Sequence, residues 1–208
     1  MNINLLLFDR FETLDAFGPV EMLSDFGKNP IGCYSLSGGE VLSSHRIPVR
    51  TEPLSAAGKG DILLLPGGMA TRTLVGDEDF LSRLRSAAEE ASFVLTVCTG
   101  SALLAATGLL DGRRATSNKR AFDWVRGVNP KVQWVETARW VADGKFYTAS
   151  GVSAGMDMAL GFMRDRQGDA VCRRIAEGAE YLWIEDSGRD PFSREGKRAG
   201  EQENSHEN

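Results

Sequence analysis

The residue with the clearest chemical prospects is Cys98. It stands in Thr96-Val97-Cys98-Thr99-Gly100-Ser101, where an apolar run ends and a small-residue helical pattern, Ser101–Ala106, begins. A strand that runs into a nucleophile and out into a helix is an elbow in outline. At a helix N-terminus the partial positive charge favours thiolate over thiol. Thr99 and Gly100 are small, so the turn can be tight and a substrate can come close. The amide after the nucleophile is then available to an oxyanion. A buried cysteine closing a core strand would show the same local pattern.

Two other loops carry suitable groups. Leu65-Pro66-Gly67-Gly68-Met69 follows a buried run, and the amides of Gly67 and Gly68 could supply further oxyanion donors; an ordinary glycine turn would read alike. In Leu14-Asp15-Ala16-Phe17-Gly18-Pro19-Val20-Glu21, Asp15 is suited to cap a helix. Glu21 could turn its carboxyl toward the same crevice if Ala16–Phe26 is helical. There it could hydrogen-bond a thiol, or stay protonated in a dry site and act as an acid.

What is scarce narrows the chemistry. There are two histidines, His45 and His206. A Cys–His hydrolase needs an imidazole at the thiol. The residue after Cys98 is Thr99, His206 lies in a polar tail, and His45 sits in a loop before a short strand. Thiol chemistry here must therefore use carboxylates, amides and hydroxyls. That disfavours amide hydrolysis and suits addition to an already electrophilic carbon, followed by water. Three cysteines, widely spaced and without a CxxC pair, exclude zinc ribbons and thioredoxin-type sites and argue against a disulfide scaffold.

These loops need a scaffold. Ile3–Phe8, Gly32–Ser37, Asp61–Leu65 and Ser92–Val97 are nearly continuous apolar runs, as parallel strands covered on both faces show. Trp140–Ala142 and Lys145–Ala149, parted by Asp143-Gly144, predict a hairpin. Phe80, Leu81, Leu84, Ala87, Ala88 and Ala91 fall at helical spacing, with Asp77 and Asp79 at the N-terminal end. Met156–Met163 and Ala170–Trp183 also read as helical. The alternation predicts an α/β fold: a flavodoxin-like open, mainly parallel sheet with helices on both faces and a nucleophile elbow. Ligands bind such sheets at the carboxyl ends of the strands. No internal repeat is present. One domain is expected over 1–193, followed by a disordered polar tail at 194–208.

The 208 residues are 42% hydrophobic and 25% charged, with 24 basic against 29 acidic side chains and a net charge of −5. No basic footprint for nucleic acid follows from that balance. The opening MNINLLLFDRFETLD has too short an apolar run for a signal peptide or a membrane span, so a cytoplasmic location is expected.

Together, LDAFGPVEML at 14–23, LLLPGG at 63–68, VCTGSALLAATGLLDGRRAT at 97–116 and TASGVSAGMDMAL at 148–160 resemble the ThiJ/PfpI superfamily, which has the class I glutamine-amidotransferase-like fold. Asp190-Pro191-Phe192 resembles the end of its last ordered segment. Within it, the chain looks most like the isonitrile hydratase branch and the sensor domains of AraC-type regulators. The resemblance implies that Cys98 is the nucleophile, Thr99 the residue that follows it in the hydratases, and Asp15 a catalytic carboxyl of the first loop. It further matches Glu21 to an acid that contacts the thiol and Gly68 to the oxyanion-loop glycine. Where hydratase-like members read Thr-His-Trp, this chain has Ser117-Asn118-Lys119, so Asn118 is a candidate substrate contact. Trp124, Arg139 and Trp140 could wall the pocket, although core or hairpin packing is the simpler expectation. No helix-turn-helix pattern follows residue 186.

What this implies is a small-molecule substrate, no metal or cofactor, and a homodimer. The Cys98 thiolate would add to an electron-poor carbon with Asp15 moving the proton. Non-catalytic binding or oxidation sensing through Cys98 is the alternative. A glyoxalase or deglycase is a third reading, weakened by the missing histidine.

Overall fold

The computed structural model describes residues 1–25, 27–58 and 60–196. The apolar runs form the centre of the sheet. Strands β1 (Ile3–Leu6), β2 (Ile31–Ser35), β5 (Ile62–Leu65) and β6 (Phe93–Val97) pair in parallel, and β6 pairs in parallel with β10 (Phe146–Ala149). Leu5, Leu64, Leu95 and Tyr147 stand side by side across the register, all buried. Every residue of β5 and β10 is buried, which requires cover on both faces.

Cover comes from two helical groups. Helix α1 (Thr13–Ser24) packs on α6 (Ala154–Gln167), and α6 packs on α7 (Asp169–Gly178). In the other group, α4 (Gly100–Ala106) contacts α2 (Thr71–Leu74), α3 (Glu78–Glu90) and α5 (Phe122–Val128). Helix α3 starts as its sequence predicts: Asp77 Oδ1 accepts the Phe80 amide at 3.0 Å, and Phe80, Leu84 and Ala88 face the core. The expected open, mainly parallel α/β sheet is the observed architecture.

The edges were less visible beforehand. Strand β3 (Gly39–Leu42) pairs antiparallel with β4 (Pro48–Pro53), giving the order β3-β4-β2-β1-β5-β6-β10-β9, where β9 is Trp140–Asp143. A second, two-stranded sheet, β7 (Arg114–Ala115) and β8 (Gln133–Trp134), packs beside β9, where the Arg114 amide donates to Asp143 Oδ2 at 2.9 Å. The expected hairpin is present, but Asp143 pairs with Phe146, so the turn residues are Gly144 and Lys145, with Gly144 at φ 61. Helix α7 stops at Gly178 rather than Trp183, because Glu180 takes a left-handed φ of 49. The chain then runs without regular structure to Asp190, whose amide donates to Thr137 O at 2.6 Å.

Of the expected tail at 194–208, residues 197–208 lie outside the described residues. Arg194 itself bonds Asp123 Oδ2 at 2.7 Å. Among the described residues, no helix is long and apolar enough to cross a membrane, and no group of three or more His, Cys, Asp or Glu is placed to hold a metal ion.

Candidate active site

Cys98 leaves β6 in a left-handed conformation, φ 56, which a residue with a Cβ adopts only when its surroundings hold it there. Here hydrogen bonds hold it from both sides. Its N–H donates to Ser150 O at 2.8 Å, at the end of β10. Its carbonyl accepts Ser117 Oγ at 2.8 Å and Ser101 Oγ at 3.0 Å. The side chain is only 7% exposed, at the floor of a crevice of about 400 Å³ shared with Gly68, Arg72, Thr99, Asn118 and Arg120. A larger hollow of about 560 Å³ beside α5, lined by Phe122, Arg126, Pro130 and Trp134, has no cysteine, serine or threonine in its lining.

Asp15 supplies the carboxyl. It is not the helix cap its sequence context suggests: Glu12 takes that position, and Asp15 lies inside the first turn of α1, fully buried. Its Oδ2 accepts the Gly67 amide at 3.0 Å. Its Oδ1 has no hydrogen-bond partner, yet the carboxyl lies against the Cys98 thiol and each perturbs the other. Burial holds the Asp15 carboxyl well above the usual range, opposed by the Gly67 bond and reinforced by Glu12. A proton on the bare oxygen removes the buried charge and makes that oxygen a donor.

Burial and the negative charge of Asp15 likewise push the Cys98 thiol up, against the Thr99 N–H and hydroxyl. This corrects the expectation of a helix-stabilised thiolate. Helix α4 has only seven residues, and its terminal field is outweighed by desolvation. Cys98 and Asp15 form a coupled pair that prefers at most one negative charge between them.

Thr99 ties the elbow to the glycine loop. The Gly68 amide donates to Thr99 Oγ1 at 3.1 Å. The Thr71 hydroxyl reaches Gly68 O at 2.7 Å and Thr99 Oγ1 at 3.0 Å. The Thr99 hydroxyl reaches Gly68 O at 3.3 Å and also interacts with the Cys98 sulfur, whose thiol pKa it lowers. Gly68 has φ 141, and a Cβ there would strike Arg10 O and sit 2.8 Å from Glu12 N. A Cβ on Gly67 would lie 2.6 Å from Thr99 N and 3.0 Å from Asp15 Oδ2, so only glycine lets the three residues meet.

Several expected roles change. The Gly67 and Gly68 amides are committed to Asp15 and Thr99, so neither is a free oxyanion donor. Gly100 does not face the crevice: a Cβ on it would point at Leu65 O, 2.6 Å away, under the end of β5. Glu21 is exposed on α1 and makes no contact with the thiol. Six residues of helix turn it about 240° from Asp15 and carry it ~9 Å along the axis. Among the described residues, the carboxyl coupled to the sulfur is that of Asp15.

Asn118 does line the crevice. Its Oδ1 accepts the Arg120 and Ala121 amides at 2.9 and 3.2 Å, which fixes the orientation of the side-chain amide. The Nδ2 group, with no hydrogen-bond partner among the described residues, packs against Gly151, where no Cβ would fit. It is the free donor beside the sulfur. Lys119 turns the other way, its Nζ bonded to Thr116 Oγ1 and Ala138 O at 2.8 and 2.7 Å, so the triplet divides its work between crevice and core.

Arg139 and Trp140 do not wall the pocket. Arg139 is 2% exposed and paired with Asp157 at 2.7 Å, and Trp140 packs against α6 at Gly161. Trp124 acts indirectly, as the platform on which Arg72 stacks at 3.5 Å from the ring centroid. The sequence gives no sign of Arg72 or Thr71, and marks Ser117 only as part of the Ser117-Asn118-Lys119 triplet, because their roles arise from contacts between distant segments. His45 stops at the rim, 2.8 Å from Thr13 Oγ1 and 3.8 Å from Glu12 Oε1.

The fold and the cysteine elbow define a flavodoxin-like α/β protein with a thiol–carboxyl site at the strand ends. Residues 1–165 match the DJ-1/PfpI family, and the chain belongs to that family. It is 31% identical over 183 residues to the isonitrile hydratase of Pseudomonas putida, covering 87% of this chain and 78% of that one. It is 30% identical over 144 residues to the HTH-type transcriptional regulator CdhR of Pseudomonas aeruginosa, covering 69% of this chain and 42% of the regulator. Among solved structures, a ThiJ/PfpI family protein from Pseudomonas syringae superposes with a TM-score of 0.78 at 26% identity, covering 86% of this chain and 74% of that one.

Proposed function

We propose that the protein hydrates a small electrophilic substrate of the isonitrile type through Cys98 and Asp15. The observation that carries this reading is the pairing of a buried thiol with a buried carboxyl whose one oxygen is fixed by Gly67 and whose other oxygen is bare. Similarity to a known isonitrile hydratase supports it.

In this mechanism the pair reacts in its singly ionised form. Asp15 Oδ1 takes the thiol proton as sulfur forms a bond to the terminal carbon of R–NC. The same carboxyl returns that proton to the carbon, giving a thioformimidate, R–N=CH–S–Cys98. Asp15 next takes one proton from water as the water oxygen adds to that carbon, passes it to the nitrogen, and then takes the proton of the new hydroxyl for return to sulfur. The C–S bond breaks, the thiolate regains its proton, and R–NH–CHO leaves. One water is consumed and nothing is oxidised or reduced. The Thr99 N–H and the Asn118 Nδ2 donors face the charge that develops. General acid–base help of this kind contributes about 10²–10⁴ in rate. The working unit is proposed to be a cytoplasmic homodimer, which light scattering checks for its oligomeric part.

Formamide production from a simple alkyl isonitrile is the test. Wild-type protein turns it over, Cys98→Ala does not, and Asp15→Asn loses at least about a hundredfold. Full activity in Cys98→Ala would sink the mechanism.

A further inference from the structure

Two guanidinium groups at the mouth of the crevice lack a counter-ion. Arg72 and Arg120 both line the space above Cys98 and Asn118, and neither makes an ion pair with a described residue. Arg72 is held in place without being neutralised, because its guanidinium lies 3.5 Å over the Trp124 ring. Stacking on one face leaves the edge N–H donors of the fork free. Partial burial lowers the Arg72 pKa and the charge of Cys98 opposes that shift, which places Arg72 within electrostatic reach of the sulfur. The lining has one carboxylate, Glu12, and this is turned to the rim, where it accepts Ser44 Oγ at 3.1 Å and faces His45.

Unpaired arginine forks beside a nucleophile suit a carboxylate, which they can bind in a bidentate manner. We propose that the crevice selects substrates bearing a carboxylate a few atoms from the reacting carbon, with Arg72 as the specificity-determining residue and Arg120 beside it. This rests on reading the crevice as the substrate site and names the class of molecule it takes.

The test separates binding from turnover. N-formylglycine and its neutral methyl amide, two formamides that differ at the carboxylate, are titrated calorimetrically into the wild-type protein. The carboxylate is expected to bind at least about tenfold tighter, and this preference falls as salt is raised. Arg72→Met keeps most of the stem and should abolish the preference, while Arg72→Lys should keep part of it. Equal binding of the two probes, binding of neither, or an unchanged preference in Arg72→Met overturns the proposal. So does an Arg72→Met variant that only raises the pH at which Cys98 is alkylated, which would assign the charge to the thiolate.

Turnover is read in parallel with isocyanoacetate and its methyl ester. If both are inert while N-formylglycine keeps its advantage, the hydratase reading fails and the carboxylate site stands. If both are hydrated at equal kcat/KM and bind equally, the hydratase reading stands and the carboxylate site fails.

Discussion

Asp15 Oδ2 accepts the Gly67 amide at 3.0 Å, which leaves Oδ1 unpartnered in a buried carboxyl coupled to the Cys98 thiol. The loop after β5 therefore sets the geometry of an acid carried by α1. A methyl group at Gly67 would lie 2.7 Å from Thr99 Oγ1 and 3.0 Å from Asp15 Oδ2, so the loop, the carboxyl or the elbow must move. Misplacement of reacting groups by about 1 Å costs on the order of 10²-fold in rate. Gly67→Ala is accordingly expected to fold and to lose roughly a hundredfold in kcat. Circular dichroism beside steady-state kinetics checks it; wild-type kcat would show that the loop does not position Asp15.

The coupled pair predicts the pH profile. Its singly ionised form is the reactive one, so kcat/KM falls at low pH as the pair gains its last proton and at high pH as it loses both. Burial raises the Asp15 carboxyl well above its ordinary 3.8, so the acidic limb lies above that value. The basic limb lies above the ordinary thiol value of 9.0, because burial and Asp15 push Cys98 upward. Rates across a pH series give both limbs, and an acidic limb at the ordinary carboxylate value would contradict a buried Asp15.

The strand ends could be read from the sequence because they are local. Four residues of β5 and five of β6 are apolar or small; the first run breaks into Pro66-Gly67-Gly68 and the second into Cys98. Cys98, Thr99, Gly68 and Asn118 come together in the crevice. The carboxyl was harder to assign. Two acids six apart both fit a helix whose start was not fixed, and one residue of phase decides which faces inward. Gly67 and Gly68 were recognisable as a close-approach loop, but not as a loop whose amides are occupied by Asp15 and Thr99. Arg72 was not legible at all: its place depends on Trp124, carried by α5. Periodicity reports burial along one element, not a stack between two.

Asp15 is costly to the fold at neutral pH. Its folded pKa is raised, so the folded protein holds the proton more tightly than the unfolded chain. The contribution of the group is complete below the unfolded value and is lost as pH rises through the folded one. Asp15→Asn keeps the shape and cannot ionise. Its Tm is therefore expected to rise relative to wild type as pH increases from about 4, levelling off above the folded pKa, while its activity falls. Paired thermal melts over this range check it. A gap that shrinks with increasing pH would reverse the sign and place a stabilised carboxylate at the site.

The last prediction concerns the buried cluster behind the crevice. Arg139 binds Asp157 at 2.7 Å and lies 3.7 Å from Asp190, and all three are essentially inaccessible. Asp157 also accepts Tyr181 Oη at 2.9 Å and the Ile184 amide at 3.0 Å, so the cluster fastens the segment after α7 to α6. Lys119 lies 3.9 Å from Asp190, its pKa lowered by burial to about 8, and it continues directly from Asn118. Removing Arg139 leaves Asp157 without its cation and Asp190 with only the more distant Lys119, and breaking a buried ion pair costs on the order of 3–5 kcal/mol. Arg139→Met should therefore lower Tm by roughly 10 °C. If the cluster also steadies the 117–119 turn, the variant should show a higher KM with a smaller change in kcat below its melting temperature, since Asn118 faces the substrate while Cys98 and Asp15 are held elsewhere. An unchanged Tm would mean that the carboxyls are neutral in the folded state and that the cluster is held by hydrogen bonds rather than by charge.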